Sequence, residues 1–321
     1  MELTSGLVRG PHSLAPIRSP GIRARRGRRV PQDASISVVA MAVHGDPQVA
    51  DAVKSLLEQD VPVEVIVVNS GRGLLPGTLD DRLLERLVLV EADDPRMPGG
   101  TRNLGIAEAR APIVAFLAAD CLVAPDWARL RVEAHLAGAT AVASALRPSP
   151  AGNGRIPLSS WASYALLHVR RAPEYPAQWA KCYGVSYDRA VFERHGLFRD
   201  DLRIGEDTEF NARIATDGPI LWAPHIVTLH RYPQTVGAAI RDMFRRGAEL
   251  HRYNLAHRRW PLLASIGQVL ESWRVAHRLV RLAEGQTRAA LMGATPLIAL
   301  LALAYAGGGV VAALRLDGRR P

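Results

Sequence analysis

Short, predominantly apolar runs alternate with amphipathic stretches from residue 36 to residue 117. ISVVAMAV (Ile36 to Val43) and VEVIVV (Val63 to Val68) are rich in β-branched residues and too short for helices. They predict strands covered on both faces. Between them, Val49 to Gln59 sets Val49, Val53, Leu56 and Leu57 on one stripe, a helical pattern. Leu79 to Leu84 predicts a short helix and Leu87 to Val90 a third strand. Thr101 to Arg110 places Leu104, Ile106 and Ala107 on a helix, with Gly99 and Gly100 before it and Pro112 after it. Ile113 to Leu117 follows as a fourth strand. Strand and helix alternating in this way predict an α/β fold with a mostly parallel, Rossmann-like sheet and right-handed crossovers.

Beyond residue 130 the pattern changes. Val132 to Ser144 mixes helical and strand signals, Pro148 to Pro157 reads as a loop, and Trp161 to Arg170 reads as a helix. Gln178 to Tyr187 reads as a strand edge and turn. Asp188 caps a helix that runs to His195 and stops at Gly196. Gly205 precedes Glu206 and Asp207 in the first turn of the next helix. Two short strands, Ile220 to Ala223 and Ile226 to Leu229, lead to His230.

The last third predicts helices. Thr235 to Leu255 is one. After Pro261, Leu263, Ile266, Leu270, Trp273 and Val280 recur at helical spacing among Arg274, Arg278 and Arg281. That stripe suits an anionic membrane surface and equally a helix packed on the rest of the protein. Ala289 to Leu314 then runs 26 residues without a charge, between Arg288 and Arg315. It is long enough to cross a bilayer with tilt. Pro296 and Gly307-Gly308-Gly309 interrupt it, so three arrangements stand: a single span, a hairpin split at the glycines, or a helix buried in the protein. The expected division is a disordered basic tail over 1–33, a catalytic domain over 34–255, and C-terminal helices over 256–321.

Composition narrows this picture. The 321 residues carry a formal charge of +9, which suits an anionic partner. The excess is nearly all arginine; Lys54 and Lys181 are the only lysines. Residues 1–33 hold seven arginines and four prolines with little apolar periodicity, the pattern of a disordered tail. They lack the apolar core of a secretory signal. Two cysteines, Cys121 and Cys182, make neither a disulfide framework nor a zinc motif. Charge alone suggests nucleic acid, but no aromatic and basic strand set accompanies it, so that class is set aside. There is also no dinucleotide fingerprint and no P-loop lysine.

Two acidic features carry chemistry. Asp120 follows a buried strand, where open α/β sheets place ligands; a turn aspartate is the alternative. Glu206 and Asp207 open a helix, where carboxylates favour the helix dipole. Display of a general base at that loop–helix junction is the functional alternative.

ISVVAMAVHG, VEVIVVNSGRG, GGTRNLGIAEARAPIVAFLAADC and GVSYDRAVFERHGLFRDDLRIGEDTEFNARI occur here in an order and spacing that resemble family 2 glycosyltransferases with the GT-A fold. The resemblance covers residues 35–250. It implies transfer of a sugar from a nucleotide-sugar to an acceptor hydroxyl, with inversion and with a divalent metal, Mg²⁺ or Mn²⁺. Matched by position, Asp120 is the acid that contacts the metal on the donor diphosphate. Arg102 and Asn103 match an Arg-Asn pair near the nucleotide. Glu206 and Asp207 match the family's Glu-Asp pair, of which the aspartate is the general base. His230 falls where several relatives place a histidine, as a metal ligand in some; a structural histidine is the alternative. Asn69 and the turn at His44 would line the donor pocket.

The departures are local. Ala118 and Ala119 stand where acids precede Asp120. Met41-Ala42-Val43-His44 replaces a Pro-x-Tyr-Asn sequence, and Asn69-Ser70 replaces aspartates. The expected protein is a membrane-associated enzyme whose catalytic domain faces the cytosol, acting on a glycan or lipid-linked acceptor. Its rival, built on the lost acids, is a catalytically silent GT-A domain that binds a glycan or partner at the membrane.

Overall fold

The computed structural model describes residues 20–73, 77–175, 185–203, 205–218, 220–257 and 261–317. The chain forms two compact units, Met1–Ser144 with Lys181–Ile226, and Ala145–Ala180 with Val227–Pro321. Much of the stretch expected as a strand edge at 178–187 lies outside the described residues, Cys182 included.

The first unit is built on a sheet. The strands are β1 (Ile22–Arg26), β2 (Ile36–Val43), β3 (Val63–Ser70), β4 (Leu87–Ala92), β5 (Ile113–Ala118), β6 (Cys121–Val123), β7 (Ala141–Pro148), β8 (Val185–Asp188) and β9 (Leu221–His230), of which β7 from Ala145 on and β9 from Val227 on belong to the second unit. The order is β1-β4-β3-β2-β5-β8-β7-β9-β6. The centre, β4-β3-β2-β5, is parallel. β1 joins β4, and β8 joins β5 and β7, antiparallel. The helices are α1 (Val49–Leu57), α2 (Asp81–Leu84), α3 (Pro98–Glu108), α4 (Trp127–Leu136), α6 (Ala190–His195) and α7 (Glu206–Ile214); α5 (Leu158–Leu167) belongs to the second unit.

Both faces of the central strands are covered, which is why they read as near-continuous apolar runs. Val38, Ala40, Val65 and Val67 pack with α1 and α4. Val39, Ile66 and Val68 pack with Leu104 and Ile106 of α3 and with Phe192 and Phe210 of α6 and α7. Gly105 lets α3 approach the sheet, since a Cβ there would overlap the Val39 side chain.

The strand at Ile22–Arg26 corrects the expectation that all of 1–33 is a disordered tail. β1 is mostly exposed, an edge strand whose Arg23 and Arg25 face solvent. Its last residue explains its place. Arg26 Nη1 donates to Glu64 Oε1 at 2.7 Å, and Arg26 Nη2 donates to the Glu108 carbonyl at 3.0 Å. Glu64, 1% exposed, also accepts from the Ser37 hydroxyl and from the Arg110 N–H. A buried carboxylate is thus bound from three segments. Removing its cation leaves a buried charge, which costs about 3–5 kcal/mol. Arg26→Ala is therefore expected to lower the urea midpoint of the full chain by that equivalent; an unchanged midpoint would show that the pair contributes nothing.

The second unit is helical: α5, α8 (Val236–His257), α9 (Pro261–Leu282) and α10 (Gly285–Asp317). Its core joins Tyr164, Ala239, Met243, Ala276, Leu279, Leu291, Ile298 and Leu301. This corrects the expected boundary at 255, because residues 145–180 and 227–255 belong with the C-terminal helices. α10 also decides against the hairpin. It is one helix through Pro296 and through all three glycines. A Cβ at Gly308 would overlap the Phe244 carbonyl of α8, and one at Gly247 would overlap the Tyr305 carbonyl of α10. The glycines form a close helix crossing, a use of small residues that lets two backbones touch.

Candidate active site

The parallel strands end together on one edge of the first unit. Val43 of β2 pairs with Ser70 of β3, and Met41 with Ala118 of β5. The Ala119 N–H donates to the Met41 carbonyl at 2.9 Å, so Asp120 leaves the sheet just beyond the last rung. This is the carboxyl edge, where ligands bind in open α/β sheets. Asp120 is half-buried in the turn before β6, and the Cys121 thiol donates to its Oδ1 at 3.6 Å.

His44 begins the adjacent loop. It is exposed and has φ of +54°, a left-handed conformation rare outside glycine. Its N–H donates to the Ser70 carbonyl at 2.9 Å. The ring lies over Gly71, where a Cβ would collide with it. Asn69 is wholly buried. Its Oδ1 accepts from the Gly45 N–H at 3.0 Å and its Nδ2 donates to the Arg72 carbonyl at 2.8 Å. Its amide is engaged at both ends, so Asn69 braces the two loops against each other.

α3 leaves the carboxyl end of β4, so its first turn lies on this same edge. Ser70 Oγ and Thr101 Oγ1 approach to 3.5 Å across it. Gly99 leaves room for the carbonyl of Arg199, which a Cβ would overlap. Asn103 completes the junction. Its Nδ2 donates to the Phe198 carbonyl at 2.8 Å, and its Oδ1 accepts from the Phe198 N–H at 3.0 Å. The side-chain amide thereby mimics a neighbouring strand.

Arg102 is buried and forms an ion pair with Glu206. Its guanidinium lies 5.1 Å from the centroid of Phe198 and 5.7 Å from that of Phe116. Both members of the Arg-Asn pair are therefore occupied, Asn103 in holding the backbone of Phe198 and Arg102 in holding the start of α7. Gly205, φ +86°, turns the chain into that helix. Asp207 follows in the first turn and is buried, with its Oδ1 accepting from the Thr208 N–H at 2.7 Å. The positive end of the helix dipole favours an anion there. Of the sequence candidates, Arg102, Asn103, Glu206 and Asp207 form one assembly, and His44 and Asn69 another beside it. The Phe198 and Thr101 contributions were missed, because neither residue type advertises such a role and the Phe198 clamp spans 95 residues of chain.

His230 ends β9 and belongs to the second unit. There its ring lies 4.4 Å from Tyr232 and 5.1 Å from His168. His168 Nδ1 and the Tyr232 hydroxyl are 2.7 Å apart. Burial first, and the neighbouring His230, hold His168 well below the usual histidine range. It is thus a neutral packing partner.

A doubly covered parallel sheet, a lone acid past β5 and a Glu-Asp pair opening a helix near the same edge are the arrangement of an α/β protein that binds its ligand at the carboxyl ends of the strands. Residues 37–196, half of the chain, match glycosyl transferase family 2, and the chain belongs to that family, with a GT-A fold. Over 184 residues it is 31% identical to the succinoglycan biosynthesis protein ExoO of Rhizobium meliloti (strain 1021), covering 54% of this chain and 53% of that protein. The chain thus spans about half the length of the curated relative it matches. Among solved structures, the mannosyltransferase PcManGT from Pyrobaculum calidifontis, in complex with GDP-Man and Mn²⁺, has a TM-score of 0.51 at 19% identity, over 88% of this chain and 89% of that one. S. aureus TarS 1-349 gives 0.48 at 14% identity, over 89% and 92%. The first of these shows the shared fold.

Proposed function

We propose that the chain transfers a sugar, with inversion, from a nucleoside-diphosphate donor to a hydroxyl of an envelope polysaccharide or lipid-linked glycan. The observation that carries this is Asp207, fixed at the start of α7 by the Arg102–Glu206 pair and displayed at the carboxyl edge. As general base it accepts the proton of the acceptor hydroxyl while that oxygen bonds the anomeric carbon and the diphosphate departs with the electron pair. Glu206 positions it. His44 and the loop braced by Asn69 line the donor pocket. ExoO, named for succinoglycan biosynthesis, supports a polysaccharide acceptor.

Asp120 offers a hard carboxylate oxygen at the site edge, the donor type that suits Mg²⁺ or Mn²⁺. PcManGT, solved with GDP-Man and Mn²⁺, supports that ion. Bound there, with phosphate oxygens and water completing its shell, it would neutralise charge on the departing diphosphate. The catalytic unit works on the cytosolic side, where nucleotide-sugars are, and the second unit associates with the membrane. α10 is long and apolar enough to cross one, with mean hydropathy 2.2 over its best window.

A panel of GDP- and UDP-sugars, titrated with and without Mn²⁺, tests the donor assignment. One nucleotide class is expected to bind, more tightly with Mn²⁺, and Asp120→Ala is expected to weaken that Mn²⁺-dependent binding by at least about tenfold. Failure of every nucleotide-sugar to bind would overturn the proposal. Binding unchanged in Asp120→Ala would remove Asp120 from the metal.

A further inference from the structure

α10 has two different sides. Leu291, Ala294, Ile298, Leu301 and Ala312 are buried in the helical unit. Met292, Leu300, Leu303, Val310 and Leu314 are exposed, Leu303 by 71% and Leu314 by 70%. Met292, Leu303, Val310 and Leu314 are separated by 11, 7 and 4 residues, whole helical turns, so they make one straight stripe. It is about 33 Å long at 1.5 Å per residue. A continuous apolar strip of that length is not an ordinary monomer surface.

Its surroundings are cationic. Residues 236–317 contain eleven arginines against five acids. Arg288 and Arg315, both exposed, close the two ends of the stripe. On α8, Phe244 borders it at Gly307, and the exposed Arg241 and Arg245 flank Phe244. Apolar area with arginines at its rim is the chemistry of an anionic bilayer surface, where the stems bury and the heads reach phosphate.

The same packing argues against a span. α10 is seated on α8 at backbone contact through Gly247 and Gly308. α8 carries Arg241, Asp242, Arg245, Arg246 and Glu249 around that crossing. A bilayer-crossing α10 would draw these charges into hydrocarbon, which is costly for each.

We propose that α10 lies in the plane of an anionic membrane, its Met292–Leu314 stripe in the outer hydrocarbon and Arg241, Arg245, Arg288 and Arg315 at the phosphates. This rests on the membrane association proposed above and not on the sugar-transfer chemistry. The test is flotation of the full chain with vesicles of phosphatidylcholine alone or of phosphatidylcholine and phosphatidylglycerol in equal parts. Binding is expected only with phosphatidylglycerol, weakened by high salt and stripped by alkaline carbonate. Leu303→Glu, a change at an open position, and Arg288→Glu are each expected to lower it by about tenfold, with the thermal transition unchanged. Carbonate-resistant retention with a protease-protected C-terminal tag would overturn the in-plane arrangement in favour of a span. Equal binding to neutral vesicles would overturn the role of the arginines. No binding to either vesicle, with a dimer that Leu303→Glu dissolves, would show that a second copy covers the stripe and would overturn the membrane association as well.

Discussion

Asp207→Asn is expected to reduce sugar transfer by about 10²–10⁴-fold, the usual contribution of a positioned general base, while donor binding stays within twofold of wild type, about 0.4 kcal/mol. The substitution keeps shape and a hydrogen-bond acceptor for the Thr208 N–H but removes basicity. The start of α7 is held by Glu206 and by the 196–205 loop, neither of which is altered. Loss of turnover with intact binding therefore isolates the proton step. The informative measurement pairs kcat with the donor dissociation constant on the same preparation. Full turnover in Asp207→Asn would assign the base elsewhere. A parallel loss of binding would instead show that Asp207 contacts the donor.

The sequence exposes the parts of this molecule that depend on local pattern. β2 and β3 are legible because both faces are buried, which leaves the runs apolar apart from Ser37 and Glu64 before the polar end of β3. The start of α7 is legible because Gly205 and two acids mark it. β1 is not: IRARR alternates charge with small apolar residues, and its stability comes from Glu64, 38 residues away. Asn69 shows the same limit at the site. Its residue type permits a base contact, and only closure of the two loops engages both ends of its amide. The glycines of α10 are a third case. Their helix penalty is visible in sequence, whereas the close approach of Phe244 that requires Gly308 is not. In each case the deciding partner is distant in the chain.

Arg102 separates two roles that the same residue type can fill. If it serves as the positioning partner of Glu206, Arg102→Ala strands the buried Glu206 carboxylate without its cation. That is expected to cost about 3–5 kcal/mol and to lower the denaturation midpoint accordingly. The double substitution Arg102→Met with Glu206→Met removes both charges and keeps volume, so most of the lost stability should return, as for other buried pairs replaced by apolar residues. Turnover should not return, because the loop–helix junction has lost the bond that orients Asp207. Donor binding should change little in the double variant. A role for Arg102 at the nucleotide makes the opposite demand: donor affinity would fall by tenfold or more, about 1.4 kcal/mol, whatever stands at residue 206. Stability, turnover and donor affinity measured on the two single variants and the double variant therefore form a cycle. The positioning role fails if Glu206→Met leaves turnover intact, since Asp207 would then be held by its helix alone.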